Sequence, residues 1–167
     1  MEQYPLVSIV TPCFNSVEFI ERTIRSVLDQ DYPRLEYIVM DGGSTDGTVA
    51  ILEQYRDRLT FVSARDGGAA DAINRGFARA SGSIFAWLNA DDKYVAGAVS
   101  AAVSALASAP EAAAVYGEGL WTDSNDKPLS PYPTAMPYDA LRFLGPCRWP
   151  RPSPRWSGST GRWQRGW

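Results

Sequence analysis

Two adjacent carboxylates, Asp91 and Asp92, directly follow an apolar run in the stretch SIFAWLNADDKY (residues 83–94). Like charges side by side repel each other, so a positive partner is expected close to them. Carboxylate oxygens suit Mg²⁺ or Mn²⁺, and Mg²⁺ is commonly held by one or two carboxylates together with substrate phosphates. The pair therefore predicts a divalent-metal site that serves a diphosphate. The alternative is a carboxylate pair that only begins a turn or helix.

A glycine-rich turn, DGGSTDG (41–47), carries the second candidate site. Asp41 ends an apolar run, where it could accept hydrogen bonds from a bound ring while the glycines let backbone approach a ligand. The alternative is a purely structural turn, in which Ser44 or Asp46 caps the next helix. No lysine follows as in a P-loop, and the dinucleotide fingerprint G-x-G-x-x-G is absent from the chain.

A second glycine-rich turn, RDGGAAD (65–71), places Asp66 and Asp71 on either side of two glycines. Asn74 and Arg75 lie one helical turn further and could reach the same cleft as Asp71. The alternative is a solvated turn, with Asp71 as an early helix residue that the helix dipole favours. Both interpretations stay open at the level of the sequence.

Composition excludes several classes of chemistry. The chain has no histidine, which removes Ser-His-Asp and Cys-His catalysis and any imidazole metal site. Its two cysteines, Cys13 and Cys147, suggest no disulfide framework, so a reducing, cytoplasmic setting is expected. All 19 acidic but only 11 of the 16 basic side chains lie in residues 1–147, which argues against nucleic-acid binding. No apolar run is long enough to span a membrane.

Short apolar runs alternate with helical patterns through the first two-thirds of the chain. This alternation predicts an α/β fold with a doubly wound, mostly parallel sheet that is covered on both faces. Ligands of such sheets bind at the carboxyl ends of the strands, where the polar candidates fall. Strands are predicted at 6–10, 35–41, 59–64, 83–90 and 112–117, and a hairpin at 120–132. Helices are predicted at 16–30 (with Ser16 as N-cap), after residue 47, at 72–80 and at 97–109.

Four motifs, VSIVTPCFN, DGGSTDGT, DGGAADAINRG and WLNADD, together resemble those of family 2 glycosyltransferases, which have the GT-A fold. They occur in the family's order and span about residues 5–146. The resemblance implies a nucleotide-diphospho-sugar donor, mostly UDP-linked, a divalent metal (Mg²⁺ or Mn²⁺), and transfer of the sugar with inversion. It also implies polysaccharide or cell-wall biosynthesis.

The resemblance also implies roles for individual residues. Thr11, Pro12 and Phe14 would lie beside the nucleobase, Asp41 would bind the base, and Asp71 would lie near the nucleotide. In the motif NADD, Asn89 replaces the first acid of the family's D-x-D, so that Asp91 and Asp92 would hold the metal and the ribose. Which of the two touches the metal stays open. The remaining residues predicted to bind the nucleotide are Asn15, Gly43, Ser44 and Asn74.

The C-terminus departs from the family pattern. Residues 1–147 are expected to form the donor half of a GT-A domain, whereas residues 148–167 are rich in Arg, Trp and Pro and have no acid. This tail is expected to be irregular or disordered and to be an out-of-frame reading, the alternative being a genuine Arg/Trp segment. The family's catalytic base is expected in the missing C-terminal part. The acids Glu118, Asp123 and Asp126 are not assigned to that role.

Three functions were weighed on these observations. The leading hypothesis is an inverting glycosyltransferase that acts on a saccharide, lipid-linked or other hydroxyl acceptor. The main alternative is a truncated fragment that binds the nucleotide-sugar without catalysis. A nucleotidyltransferase is disfavoured, because the usual glycine- and lysine-containing signature is missing after the first strand. A peripheral membrane association is compatible with all three functions.

Overall fold

The computed structural model describes residues 4–123 and 125–132 of the 167-residue chain. These residues belong to two compact units, which meet in sequence between Ala114 and Val115. The predicted tail at 148–167 and Cys147 lie outside the described residues. Among the helices of the described part, none combines the length and the apolar character that crossing a membrane would require.

The first unit is built on a four-stranded sheet in which every pair of neighbouring strands is parallel. Across the sheet the strands follow in the order Thr60–Ser63 (β3), Leu35–Asp41 (β2), Val7–Cys13 (β1) and Ile84–Trp87 (β4), so β1 lies inside the sheet and its whole length is buried. The predicted α/β fold with a parallel sheet is therefore confirmed.

Helices cover both faces of this sheet, as a doubly wound fold requires. Two hydrophobic clusters lie on opposite faces of the sheet. Of two successive residues of β1, Ile9 belongs to one cluster and Val10 to the other. Helix α1 contributes Ile24 and Val27 to the cluster around Ile9, whereas Phe77 packs against the cluster around Val10. The helices are Ile20–Leu28 (α1), Thr48–Gln54 (α2), Ala69–Phe77 (α3) and Ala98–Ser108 (α4).

Two predicted helix starts were wrong. Helix α1 begins at Ile20, after a turn in which the Ser16 carbonyl accepts hydrogen bonds from the N–H groups of Phe19 and Ile20. The Ser16 hydroxyl does not cap the helix. Helix α3 begins at Ala69 instead of residue 72, since the chain enters it through Gly68 with a φ of 103°. As a consequence, Asp71 lies in the first turn of α3.

The apolar sequence of β4 had predicted a strand that is buried on both faces. This prediction was wrong. Strand β4 pairs with β1 only and is an edge strand within the described sheet. Its residues alternate between half-buried and exposed, and Phe85 and Trp87 are 51% and 57% exposed. The rings of Phe85 and of Phe77 in α3 are in T-shaped contact, with 5.6 Å between their centroids, but Phe85 and Trp87 remain largely exposed.

The second unit contains an antiparallel hairpin of Leu120–Thr122 (β5) and Pro128–Pro131 (β6), which confirms the predicted hairpin. The strand predicted at 112–117 does not form. These residues are exposed and have no strand pairing among the described residues. Their apolar side chains had suggested a strand, but a strand needs a neighbouring backbone to satisfy its polar groups.

Helix α3 packs tightly against the sheet at Gly76, which leads to a stability prediction. A Cβ at this position would lie 2.9 Å from Val10 Cγ2, with Val10 Cγ1 still closer, and 3.2 Å from Met40 Cγ. We expect Gly76→Ala to lower the free energy of unfolding by about 1–3 kcal/mol through overpacking, although alanine favours helix. Urea denaturation measures this change. Gly117→Ala, which meets no atom within 4 Å, is the matched control.

Candidate functional site

The carboxyl ends of the four parallel strands meet at one edge of the sheet. Cys13 at the end of β1 pairs with Asp41 of β2, which pairs in turn with Ser63 of β3. Strand β4 ends at Trp87, opposite Val10 of β1, and leads into the NADD segment. The motifs that are scattered through the sequence are therefore brought to the edge at which such sheets bind ligands.

Asp41 is 2% exposed and is surrounded by donors of the protein itself. Its Oδ2 accepts hydrogen bonds from the Ser63 hydroxyl at 2.6 Å and from the backbone N–H groups of Ser44 and Gly43 at 3.0 and 3.1 Å. Its Oδ1 accepts from the Ser44 hydroxyl and, at 3.6 Å, from the Cys13 thiol. Burial by itself raises the pKa of Asp41, but these hydrogen bonds outweigh it and hold the pKa below its usual value.

These contacts give Asp41 a structural role, and its predicted contact with a nucleobase stays a prediction. A carboxylate has about four acceptor positions, and those of Asp41 are occupied by the protein. We therefore assign it to holding the glycine-rich turn against the ends of β1 and β3, which was the structural alternative for this turn. Gly43 is needed there because its φ is 86°, a conformation that other residues rarely adopt.

Asn15 and Ser44 join the end of β1 to the same turn. The Asn15 N–H donates to Ser44 Oγ at 2.7 Å, and the Thr45 N–H donates to Asn15 Oδ1 at 2.9 Å. Asp46 adds a third link, accepting hydrogen bonds from the Val17 N–H and from both donors of Thr48. Both predicted ligand residues thus have a structural role, although Asn15 is exposed at the edge of the site.

The segment from Thr11 to Phe14 divides into buried and exposed residues. Thr11 is fully buried and its hydroxyl forms a 3.0 Å hydrogen bond with Tyr37 Oη, and Pro12 is buried as well. Their side chains are therefore not available at the surface, and their predicted place beside a nucleobase stays a prediction. Phe14, in contrast, is 62% exposed. Of the three residues predicted beside a nucleobase, only Phe14 presents its side chain to solvent.

Asp71 closes the second glycine-rich turn. Its Oδ2 accepts a hydrogen bond from the Gly67 N–H at 2.9 Å and forms an ion pair with Arg75, one turn along α3, at 2.7 Å. Asn74 is exposed on the same helix. Asp71 is therefore an early residue of helix α3, as the structural alternative had stated. It lies at the same edge of the sheet as the other candidate residues.

Asp91 and Asp92 lie on an exposed loop after β4. The Asn89 side-chain amide donates to Asp92 Oδ2 at 3.0 Å, so two members of NADD are held together. Partial desolvation raises the pKa of Asp92, the Asn89 hydrogen bond lowers it and the Asp91 charge raises it, and the net effect is a raised pKa. In the described part of the chain, no three acidic or cysteine side chains come together as a metal cage.

A polar stripe, formed by Thr23 and Ser26 of helix α1 and by Gln30 just beyond its end, holds the loop that carries these carboxylates. The buried Thr23 hydroxyl lies 2.7 and 2.8 Å from the carbonyl oxygens of Ala90 and Asp92. The Tyr94 N–H donates to Ser26 Oγ at 3.2 Å. The backbone of the loop is thus fixed from the helix side.

Gln30 extends the stripe by one more turn. Its Nε2 donates to the Val95 carbonyl at 2.9 Å, and its Oε1 accepts from the Val99 N–H at 3.2 Å. None of the three residues of the stripe was predicted from the sequence. Their spacing of three and four positions beside the buried residues of α1 was the available signal, because residues so spaced fall on one side of a helix and of its continuation.

We expect Thr23→Val to lower the free energy of unfolding by about 1–3 kcal/mol, because it leaves the carbonyl oxygens of Ala90 and Asp92 without their donor at nearly unchanged volume. Thr23→Ser keeps the hydroxyl and is the matched control, since it tests the loss of the methyl group alone. Urea denaturation of both variants measures the difference. Equal stability of the Val and Ser variants would contradict the role of the hydroxyl.

The second unit also contains acidic side chains. One of them, Asp123, has a structural role in the hairpin. Asp123 Oδ1 accepts hydrogen bonds from the N–H groups of Asn125 and Lys127, at 2.8 and 3.0 Å, which closes the turn. Asp126 has a φ of 67° in the same turn, and Glu118 is exposed. No contact in the described residues assigns any of the three as a catalytic base.

The curated proteins to which this chain is similar include several glycosyltransferases. The chain is 46% identical over 94 residues to the putative teichuronic acid biosynthesis glycosyltransferase TuaG of Bacillus subtilis, covering 54% of this chain and 37% of that protein. It is 37% identical over 123 residues to an uncharacterized glycosyltransferase of Mycobacterium tuberculosis, covering 72% of this chain and 47% of that protein. The chain thus matches less than half the length of either relative.

Solved structures show the same fold. The mannosyltransferase PcManGT from Pyrobaculum calidifontis, in complex with GDP-Man and Mn²⁺, aligns with a TM-score of 0.59 and 31% identity over 64% of this chain and 33% of its own. S. aureus TarS 1–349 in complex with UDP-GlcNAc aligns with a TM-score of 0.56 and 26% identity, over 62% and 31%. The first unit therefore has the GT-A type of fold.

The family described as Glycosyl transferase family 2 matches residues 8–149. This range includes the strand ends, both glycine-rich turns and the NADD segment. The family match covers more than half of the chain and the fold agrees with it, so the chain belongs to glycosyl transferase family 2.

Proposed function

We propose that this chain binds a nucleotide-diphospho-sugar, with UDP as its nucleotide, at the carboxyl edge of the sheet. The observation that carries the proposal is the convergence of exposed polar and aromatic groups at this edge, in a member of a glycosyltransferase family. Phe14 offers a ring face, and Asp91 and Asp92 offer carboxylates on a loop that helix α1 holds in place. Two structural neighbours are complexes with nucleotide-sugars, GDP-Man in one and UDP-GlcNAc in the other, which supports a nucleotide-sugar ligand.

We further propose that Asp91 and Asp92 hold a divalent metal, Mg²⁺ or Mn²⁺. The donor set fits, since both side chains are hard oxygen ligands, and partial desolvation together with the Asp91 charge raises the pKa of Asp92, an effect that a cation would offset. Two carboxylates leave further coordination positions for the phosphate oxygens of a donor. The metal would supply positive charge to the diphosphate. The neighbour with bound Mn²⁺ supports this assignment.

The reaction that we propose for the whole protein is transfer to an acceptor hydroxyl with inversion. The hydroxyl oxygen attacks the anomeric carbon while the bond from that carbon to the diphosphate oxygen breaks, and a carboxylate removes the hydroxyl proton. No residue of this chain is assigned as that base. The name of the B. subtilis relative supports a saccharide of the cell envelope as the product.

Two assays on the 167-residue chain test these proposals separately. Calorimetric titration with UDP, in Mn²⁺ and in EDTA, tests donor binding and its dependence on metal. A radiolabelled transfer and donor-hydrolysis assay tests catalysis. Metal-dependent binding without turnover would favour the alternative of a donor-binding fragment, and absence of binding under both conditions would contradict the proposed function.

A further inference from the structure

The backbone on both sides of the Asp91–Asp92 pair is held by one side chain of helix α1. The Thr23 hydroxyl lies 2.7 Å from the carbonyl oxygen of Ala90 and 2.8 Å from that of Asp92. The first carbonyl group belongs to the peptide that leads into Asp91, and the second belongs to the peptide that leaves Asp92. Thr23 therefore fixes the two peptide groups that flank the pair, while both acidic side chains are exposed.

Thr23 is itself firmly placed. It is 1% exposed, and its neighbour Ile24 packs with Ile9 and Ala90 in one hydrophobic cluster. Because the Thr23 hydroxyl is buried, water does not compete for its hydrogen bonds, which are stronger in such surroundings than at the surface. The attachment point of the loop thus belongs to the core of the first unit.

The rest of the loop is attached to the same side. The Ser26 hydroxyl oxygen accepts a hydrogen bond from the Tyr94 N–H, and the Gln30 amide donates to the Val95 carbonyl. Together with the two carbonyl groups that contact Thr23, four backbone groups of the loop are bound by side chains of the polar stripe. The chain itself therefore supplies what this loop needs to hold its conformation before a metal or a donor binds.

A preset loop matters for a cation that has few ligands from the protein. Mg²⁺ demands a near-ideal geometry of its oxygen ligands, and two carboxylates can provide only part of that geometry. If the cation had to order the loop, part of the binding free energy would be lost to the ordering of backbone and side chains. Contacts that order the loop beforehand remove this cost.

We propose that Thr23 is a positioning residue for the metal, which presets the Asp91–Asp92 loop so that its carboxylates receive Mg²⁺ or Mn²⁺ without reordering. The inference rests on the proposed binding of a metal and a nucleotide by this pair. Thr23 acts through the backbone of the pair, because its own side chain is buried. Groups that orient metal ligands typically contribute about 10- to 100-fold to metal affinity.

The first test is the metal-dependence ratio, which we define as the affinity for UDP in Mn²⁺ divided by the affinity in EDTA. Calorimetric titration of the 167-residue chain measures both. Thr23→Val is expected to lower this ratio by about 10- to 100-fold, because affinity falls in Mn²⁺ and stays the same in EDTA. Thr23→Ser keeps the hydroxyl and should restore most of the ratio.

Two further variants separate this role from a general loss of stability. Gly76→Ala is expected to destabilise the fold by a similar amount through α3, on the other face of the sheet, and should leave the ratio unchanged. Ser26→Ala removes the acceptor of the Tyr94 N–H and should lower the ratio as Thr23→Val does, by a smaller factor. All titrations are made at a temperature at which each variant is folded.

The second test asks whether the loop is ordered without any ligand, and it uses amide hydrogen exchange in EDTA. The Asp92 N–H donates to the Asn89 carbonyl at 3.1 Å, and the Tyr94 N–H donates to Ser26 Oγ. Both amides should exchange more slowly than unprotected amides in the wild-type chain, and faster in Thr23→Val than in Thr23→Ser.

Unprotected Asp92 and Tyr94 amides in the metal-free wild-type chain would overturn the inference, because the ligand would then be what orders the loop. An unchanged metal-dependence ratio in Thr23→Val would overturn it as well, and would leave the metal site in place. If the wild-type chain binds UDP equally in Mn²⁺ and in EDTA, the proposed metal site fails together with the inference. Absence of UDP binding under both conditions would refute the proposed function itself.

Discussion

Asp91→Asn and Asp92→Asn are each expected to remove the metal-dependent part of nucleotide binding, with a loss of affinity for UDP in Mn²⁺ of at least about 100-fold. The physical reason is that only two carboxylates of the described residues are available at this loop, so the loss of either halves the charge that holds the cation. Loss of groups that merely orient metal ligands already costs about 10- to 100-fold in other proteins.

The same substitutions are not expected to destabilise the fold. The raised pKa of Asp92 means that its ionised form is disfavoured in the folded state, so an uncharged amide relieves repulsion at neutral pH. Both variants should therefore melt at the wild-type temperature or above it in the absence of metal. Asp57→Asn, at the other end of the sheet, controls for the change in net charge. Unchanged affinity for UDP in Mn²⁺ in both variants would contradict the metal site.

Asp41→Ala is expected to lower the free energy of unfolding by roughly 2–4 kcal/mol, a large part of the total for a domain of this size. The substitution leaves the Gly43 and Ser44 N–H groups and the hydroxyls of Ser44 and Ser63 without their common acceptor. Asp57→Ala, at an exposed acid, is the control. If Asp41→Ala unfolds at the same urea concentration as the wild type but loses affinity for UDP, Asp41 acts on the ligand and our assignment is wrong.

The pH dependence follows from the same hydrogen bonds. Because the pKa of Asp41 is lowered in the folded state, its ionised form stabilises the fold at every pH above the unfolded-state value of about 3.9. This contribution is lost as the pH falls through the folded-state pKa. The wild-type chain should therefore lose stability in acid more steeply than Asp41→Asn, which has no proton to take up. Urea denaturation between pH 6 and about pH 3 measures the difference.

The sequence alone determined the class of fold and the edge of the sheet at which the candidate site residues gather. Apolar runs and helical spacing predicted the four strands of the parallel sheet and the hairpin, because burial imposes these periodicities on the chain. The polar residues that follow the strands predicted the edge at which a ligand binds, since the carboxyl ends of parallel strands all lie on the same side. The order of the four motifs predicted the family, which the comparisons confirmed.

Only the tertiary structure decided which of the polar residues are available to a ligand. Asp41 and Asp91 both follow apolar runs, yet Asp41 is occupied by donors as distant in sequence as Cys13 and Ser63, whereas Asp91 is exposed. The burial of Thr11, whose hydroxyl forms a hydrogen bond with Tyr37, could likewise not be predicted from the sequence. A hydrogen bond between residues that are 20 to 30 positions apart depends on strand order and register, which local patterns do not encode. For the same reason the edge position of β4 was not foreseen, because its apolar sequence is also that of a strand buried on both faces.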